Sequence, residues 1–224
     1  MNRSIAKTAA VLLAALFGMS LATQAAAQDS GFLKDYSQLA PEKDALGVER
    51  RVWISPKLTR DNYQKILLEQ VTFYPQPQPS DKVSMDTLNQ IRSYGDNALR
   101  TALATVAPLV DQPGPGVLRV RVAMTGASVQ GAKLEPYQLI PAAFVLTMAA
   151  RAAGASHNSA QLAVESEGTD SVTGELLFEV VRQAQGVQLQ SNEDLTVQMV
   201  EPNIDEWVSS AQQVLSRRMK AAGQ

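Results

Sequence analysis

Val117-Leu118-Arg119-Val120-Arg121-Val122-Ala123-Met124-Thr125 alternates without a break. Leu118, Val120, Val122 and Met124 fall on one side, and Arg119, Arg121, Ala123 and Thr125 on the other. Side chains of a strand point to opposite faces in turn, so this pattern predicts a strand with one face in the core and one toward water. The preceding Asp111 to Gly116 (DQPGPG) is rich in turn formers, which fixes where the strand begins. A half-buried strand needs sheet neighbours at its edges and a layer over its apolar face, and the chain on either side supplies candidates for both.

Upstream, Val52-Trp53-Ile54 and Ile66 to Phe73 are β-branched and aromatic runs bounded by Ser55-Pro56 and Pro75, and they predict two strands. Ser84 followed by Asp86 is a helix start, after which Leu88, Ile91, Ala98, Leu99, Ala102, Leu103 and Val106 recur at steps of three and four. This predicts an amphipathic helix over 84–107, ended by Pro108. Gly95 inside it weakens the helix by about 1 kcal/mol relative to alanine, which points to a close approach or a soft spot there. Downstream, Leu162 and Val164, then Leu176, Phe178 and Val180, alternate around a turn at Asp170-Ser171-Val172-Thr173-Gly174 and predict a β-hairpin. Leu195 to Val200 reads as a further strand stopped by Pro202. Asn203 with Glu206 resembles a capping box, and Ile204, Trp207, Val208, Ala211, Val214 and Leu215 make one apolar stripe, predicting a helix over 203–221. Leu139 to Ala153 is almost continuously apolar but too short to span a bilayer, which suits a buried or interfacial helix. Together these elements predict a single α/β domain of the α+β type. Its sheet is mixed or antiparallel, with the amphipathic helices on one face.

The ends read differently. Arg3 and Lys7, the apolar run Ala9 to Met19 and Ala25-Ala26-Ala27 have the three regions of a secretory signal peptide over 1–27, with cleavage between Ala27 and Gln28. Residues 28–48 hold neither period and are expected to form an extended arm ahead of a domain at 49–224. Within the arm, Phe32, Leu33, Tyr36 and Leu39 are spaced to share one side of a turn. They are the candidate interaction surface, either docked on the domain or offered to a partner.

Composition narrows function more than it names it. The 224 residues are 45% hydrophobic and 19% charged with a net charge of −2 and no cysteine. This balance excludes fibrous and wholly disordered classes and argues against nucleic acid as a partner. Without cysteine there is no disulfide framework and no acceptor for a lipid anchor, so the mature chain is expected to carry no lipid anchor and no transmembrane helix. The one histidine, His157, sits in a polar stretch without companions for a zinc site or a catalytic triad, and reads as a surface residue; no cofactor is implied. Pro113-Gly114-Pro115-Gly116 lacks the Lys-Ser/Thr of a phosphate loop. Arg119 and Arg121 could clamp an anion, although an exposed pair on a mixed-charge sheet is the plainer meaning. Glu165, Glu167, Asp170 and Glu175 could supply the two carboxylates of a glycoside hydrolase, while the alternation of the hairpin makes Glu165 and Glu167 ordinary solvated residues.

Four stretches taken together resemble a bacterial envelope family, domain of unknown function 3313. They are Ser30-Gly31-Phe32-Leu33-Lys34-Asp35-Tyr36-Ser37-Gln38-Leu39, Val71-Thr72-Phe73-Tyr74-Pro75, Pro113-Gly114-Pro115-Gly116-Val117-Leu118-Arg119-Val120-Arg121 and Asp170-Ser171-Val172-Thr173-Gly174-Glu175. The resemblance implies an exported protein, in many members an outer-membrane lipoprotein, with no assigned activity. It departs from the lipoprotein pattern in lacking cysteine. The leading expectation is a non-enzymatic periplasmic accessory or binding protein that meets another envelope protein, with peripheral association with the outer membrane within that expectation. A carbohydrate-acting hydrolase using the 165–175 carboxylates and a carrier of a small hydrophobic ligand are the alternatives.

Overall fold

The computed structural model describes residues 29–44, 47–77, 79, 83–126, 158–160, 162–183, 187–189 and 195–219. The elements run β1 (Ala40–Lys43), β2 (Glu49–Ile54), β3 (Lys65–Leu68), β4 (Thr72–Tyr74), α1 (Met85–Ala104), β5 (Val117–Gly126), β6 (Asn158–Ala160), β7 (Leu162–Asp170), β8 (Leu176–Gln183), β9 (Val187–Leu189) and α2 (Val197–Met219). Seven strands make one mixed sheet in the order β1-β2-β8-β7-β5-β3, with β4 also on β5; β6 and β9 pair separately. The signal-peptide cleavage site at Ala27 and Gln28, the apolar segment 139–153 and His157 lie outside the described residues.

β5 is the strand on which the sheet is organised. It pairs antiparallel with β7 from Leu118↔Asp170 to Gly126↔Leu162, and parallel with both β3 and β4. Parallel neighbours need a crossover, and α1 supplies it between β4 and β5. The run Ile66 to Phe73, read in sequence as one strand, is two. Register advances by one residue between Leu68↔Val120 and Thr72↔Ala123, a bulge that takes Val71 out of the ladder. Its N–H instead donates to Asp96 Oδ1 on α1 at 2.8 Å, while Arg100 Nε donates to Asp96 Oδ2 at 2.8 Å and Arg100 reaches the Leu68 carbonyl at 3.3 Å. The helix thereby satisfies backbone groups that the broken strand would leave orphaned.

Both helices lie on the face formed by Leu118, Val120, Val122 and Met124, and join them in the main core. Ser84 caps α1 by accepting from the Thr87 N–H at 3.0 Å. Gly95 is where the layers meet: a Cβ there would stand 2.5 Å from Met124 Cε, with Ile204 and Trp207 beside it. The interior glycine therefore admits a close approach of the layers, and a Cβ there would make the flexible end of Met124 shift. α2 begins six residues earlier than Asn203, and Leu195 to Val200 is not a strand. Val197, Val200, Ile204, Trp207 and Val208 form one buried stripe, and burying it outweighs the missing N–H of Pro202, which orphans a single carbonyl near the helix start.

The opposite face of the sheet is covered by the chain's own beginning. Residues 40–43 of the expected arm form the edge strand β1, paired with β2 from Ala40↔Val52 to Lys43↔Glu49. Residues 29–39 fold over the sheet, where Phe32 and Leu33 are buried with Ala123 and Val181 in a second, smaller core that Tyr36 and Leu39 flank.

Candidate functional site

Cross-strand register fixes which side chains the arm covers. Arg121, Glu167, Glu179 and Trp53 form one row across β5, β7, β8 and β2, and Ala123, Glu165, Val181 and Arg51 form the next. The second row offers the apolar area of Ala123 and Val181 for the arm to bury. The first sets two acids directly opposite each other.

Glu165 and Glu167 are not solvated, as the hairpin alternation suggests, but only 2% and 6% exposed. The reason is the arm, which converts an outer strand face into an interior. Each acid is engaged: Tyr36 donates its hydroxyl to Glu165 Oε2 at 2.6 Å, Thr125 donates to Glu165 Oε1 at 3.2 Å, and Arg121 pairs with Glu167. The Tyr36 oxygen also accepts from the Gly31 and Leu33 N–H groups at 3.0 and 3.2 Å. One phenol thus folds the arm on itself and fastens it to the sheet. Burial, then the bond to Glu165, raises the Tyr36 pKa above its ordinary value, so the donor stays protonated.

Arginines frame the arm. The Arg121 guanidinium lies 5.0 Å from the Phe32 ring centre and that of Arg51 5.6 Å from Tyr36's, within cation–π range. Arg51 also pairs with Asp29, and Phe32 meets Tyr74 edge to face at 5.8 Å. Arg119 and Arg121 are not a free anion clamp: Arg119 pairs with Glu69, and Arg121 with Glu69 and Glu167.

Glu179 is the exception among the acids of this face; the other buried polar atom left without a partner among the described residues, Arg50 Nε, lies on the helix side. Glu179 is 2% exposed, and its Oε2 has no hydrogen-bond partner. Burial first, then the charges of Glu167 and Asp35, push its pKa up to about 7. Sequence reading passed over Glu179 because it alternates with Phe178 and Val180 as a routine outward residue. The available signal was the company it keeps, since Ala123 and Val181 are apolar residues on a face otherwise charged.

The other hairpin carboxylates stand apart from these. Asp170 accepts from the Val172 and Thr173 N–H groups at 2.9 and 2.8 Å, and those donors, Thr173 first, hold its pKa below the usual carboxylate value. Glu175 pairs with Lys57 in the open at the hairpin tip. The structure therefore does not gather the four acids proposed for hydrolysis.

A second polar group, also missed in the sequence, lies between the sheet and α2. Arg182 binds Asp44 at 3.1 Å and Glu206 at 2.6 Å, Ser210 donates to Asp44 at 3.1 Å, and Arg50 pairs with Glu42. Arg50 and Arg182 sit directly opposite on β2 and β8, so the acids between them relieve a like-charge contact. They edge a cavity of about 40 Å³ walled mainly by Leu99, Val122, Phe178, Trp207 and Leu215, space for a few waters.

The DUF3313 model, described as a protein of unknown function, matches residues 28–211. This chain belongs to the DUF3313 family. The uncharacterized lipoprotein YdcL of Escherichia coli K12 is 33% identical over 187 residues, 83% of this chain and 84% of its own, and the O157:H7 protein matches equally. Among solved structures, the PelC dodecamer from Paraburkholderia phytofirmans is 13% identical, covers 73% of this chain and 95% of its own, and has a TM-score of 0.35. A DUF330 protein from Xanthomonas campestris is 10% identical over 74% of this chain and 87% of its own, with a TM-score of 0.31. At such scores the likeness carries no functional meaning. The relatives do overturn one expectation. They are lipoproteins by name, so the expected absence of a lipid anchor does not stand for this DUF3313 protein, and a count of cysteines was too narrow a ground for it. Among the described residues, no helix is long and apolar enough to cross a membrane.

Proposed function

We propose that this DUF3313 protein is an exported accessory protein of the bacterial envelope that acts by binding, and that the junction between the arm and the sheet is its recognition region. The lipoprotein relatives support the envelope setting. The observation that carries the binding role is the arm itself. Phe32, Leu33, Tyr36 and Leu39 do not stand free; they cover the sheet through a small apolar contact and one phenol, above a buried acid that lacks a donor. That unmade buried hydrogen bond costs about 1–3 kcal/mol, and a partner that replaces the cover and supplies a donor recovers it.

Photo-crosslinking in intact cells tests the reading. A photoreactive residue at Lys34 or Ser37, both exposed on the arm, should yield a discrete adduct with another envelope protein, whereas one at exposed Thr101 on α1 should not. Equal adducts from all three positions, or none from the arm, would refute it. Export is checked separately by mass analysis of the amino terminus, expected at Gln28.

A further inference from the structure

Glu179 sits where four elements meet, and what each brings toward it can be named. From β7 comes Glu167, directly opposite, with Glu165 on the diagonal; from β2 come Trp53, opposite, and Arg51; from the arm comes Asp35. The nearest guanidinium groups are committed elsewhere, Arg121 to Glu167 and Glu69, and Arg51 to Asp29 and the Tyr36 ring. The arm therefore adds a negative charge to a site already overloaded with it and provides no donor for Glu179 Oε2. A buried carboxylate in that position is satisfied by a cation.

We infer that Glu179 is the anchor of a binding site for a basic segment of a partner protein, whose ammonium or guanidinium group takes the place of the arm over the sheet. Glu167 and Glu165 flank the anchor, and release of the Tyr36 hydroxyl from Glu165 Oε2 frees a second carboxylate oxygen for the incoming cation. Asp35 leaves with the arm, which removes one repulsive charge as the cation arrives. Because Glu179 holds its proton up to about pH 7 under the arm, cation binding expels a proton and strengthens as pH rises through that value. Glu175, paired with Lys57 in the open at the hairpin tip, is the control for acids away from the anchor.

The inference rests on the reading of the arm junction as the recognition region, and calorimetric titration of the full chain with hexalysine at constant ionic strength tests it separately. Affinity should rise about tenfold from pH 6 to pH 8, the ratio of ionised Glu179 at the two values. Glu179→Gln should remove that rise and bring the pH 8 affinity down to the pH 6 level, with folding verified by circular dichroism. Tyr36→Phe, which loosens the cover, should bind hexalysine several-fold more tightly, and Glu175→Gln at the hairpin tip should leave affinity unchanged. A flat pH profile, or equal losses from Glu179→Gln and Glu175→Gln, would overturn the site. Spermidine binding as tightly as hexalysine would overturn the assignment to a protein segment. Arm adducts without hexalysine binding would refute the cation alone; hexalysine binding without arm adducts would refute the accessory role alone.

Discussion

Glu179 makes the stability of this fold depend on pH in a direction opposite to that of most carboxylates. Its pKa stands at about 7 in the folded chain against 4.5 for the free side chain. Below pH 4.5 both states are protonated and the residue is neutral in the balance. Between the two values the unfolded chain releases the proton and the folded chain keeps it, so stability falls as pH rises and the loss is complete above about pH 7. The unscreened shift corresponds to roughly 3 kcal/mol at about 1.4 kcal/mol per unit. Nearby guanidinium groups and water penetrating under the arm reduce it, and about 1–2 kcal/mol is the expected size. Glu179→Gln keeps the shape and removes the ionisation. It should match the wild type at pH 4.5 and raise the melting temperature by about 2–8 °C at pH 8, on the usual 2–4 °C per kcal/mol for a chain of this size. Thermal denaturation followed by circular dichroism at pH 4.5, 6, 7 and 8 measures it. A variant no more stable than wild type at pH 8, or more stable by the same amount at every pH, would refute the argument that a buried, unpaired carboxylate lies beneath the arm.

Three further substitutions probe the elements that position the site. Tyr36→Phe deletes the hydroxyl that joins Gly31, Leu33 and Glu165; it should cost about 1–3 kcal/mol and speed tryptic cleavage at Lys34, and an unchanged cleavage rate would show that the phenol does not fasten the arm. Asp96→Ala orphans the Val71 N–H and releases Arg100, for an expected loss of about 2–3 kcal/mol in urea denaturation; a loss below 0.5 kcal/mol would mean that the bulge between β3 and β4 is satisfied some other way. Gly168→Ala drives a methyl to within 2.1 Å of the Phe178 ring and should cost about 1–3 kcal/mol, with near-wild-type stability contradicting the close packing of β7 on β8.

The layer of helices was legible because it is held by apolar periodicity. The stripe of α1 and the alternation of β5 each have one physical explanation, and the structure places Leu118, Val120, Val122 and Met124 in the same core as Leu88, Ile91, Leu99 and Leu103. Two breaks were not legible, for different reasons. Ile66 to Phe73 has no turn residue to mark its bulge, since the cause lies 25 residues away in Asp96. Leu195 to Val200 alternates like a strand, yet its Val197 and Val200 also run on to Ile204 at helical spacing, and packing against the core decided between two patterns that local sequence left equal. The candidate site was half legible. Phe32, Leu33, Tyr36 and Leu39 could be picked out from spacing, but Glu165, Glu167 and Glu179 could not be recognised as buried, because their cover comes from more than 120 residues away.

That difference between the two faces is also the reason to look for function on the arm side. Over β5, the helices bury long side chains from two elements that also pack on each other, and the polar groups enclosed there, Arg182 with Asp44 and Glu206 and Arg50 with Glu42, are matched in charge although Arg50 Nε has no partner. Beneath the arm, the apolar contribution comes mainly from Phe32 and Leu33, and the attachment runs through one phenol and a pair with Asp29. Segments with few buried apolar contacts open at lower free energy than the core does. On the reading proposed above, the arm lifts while the sheet and helices stay folded, which would uncover the carboxylates of β7 and β8 already aligned by strand register. Such a site would need no rearrangement of the sheet to bind; the free energy of lifting eleven residues is what a partner would have to exceed, and an unpaired Glu179 would lower that requirement.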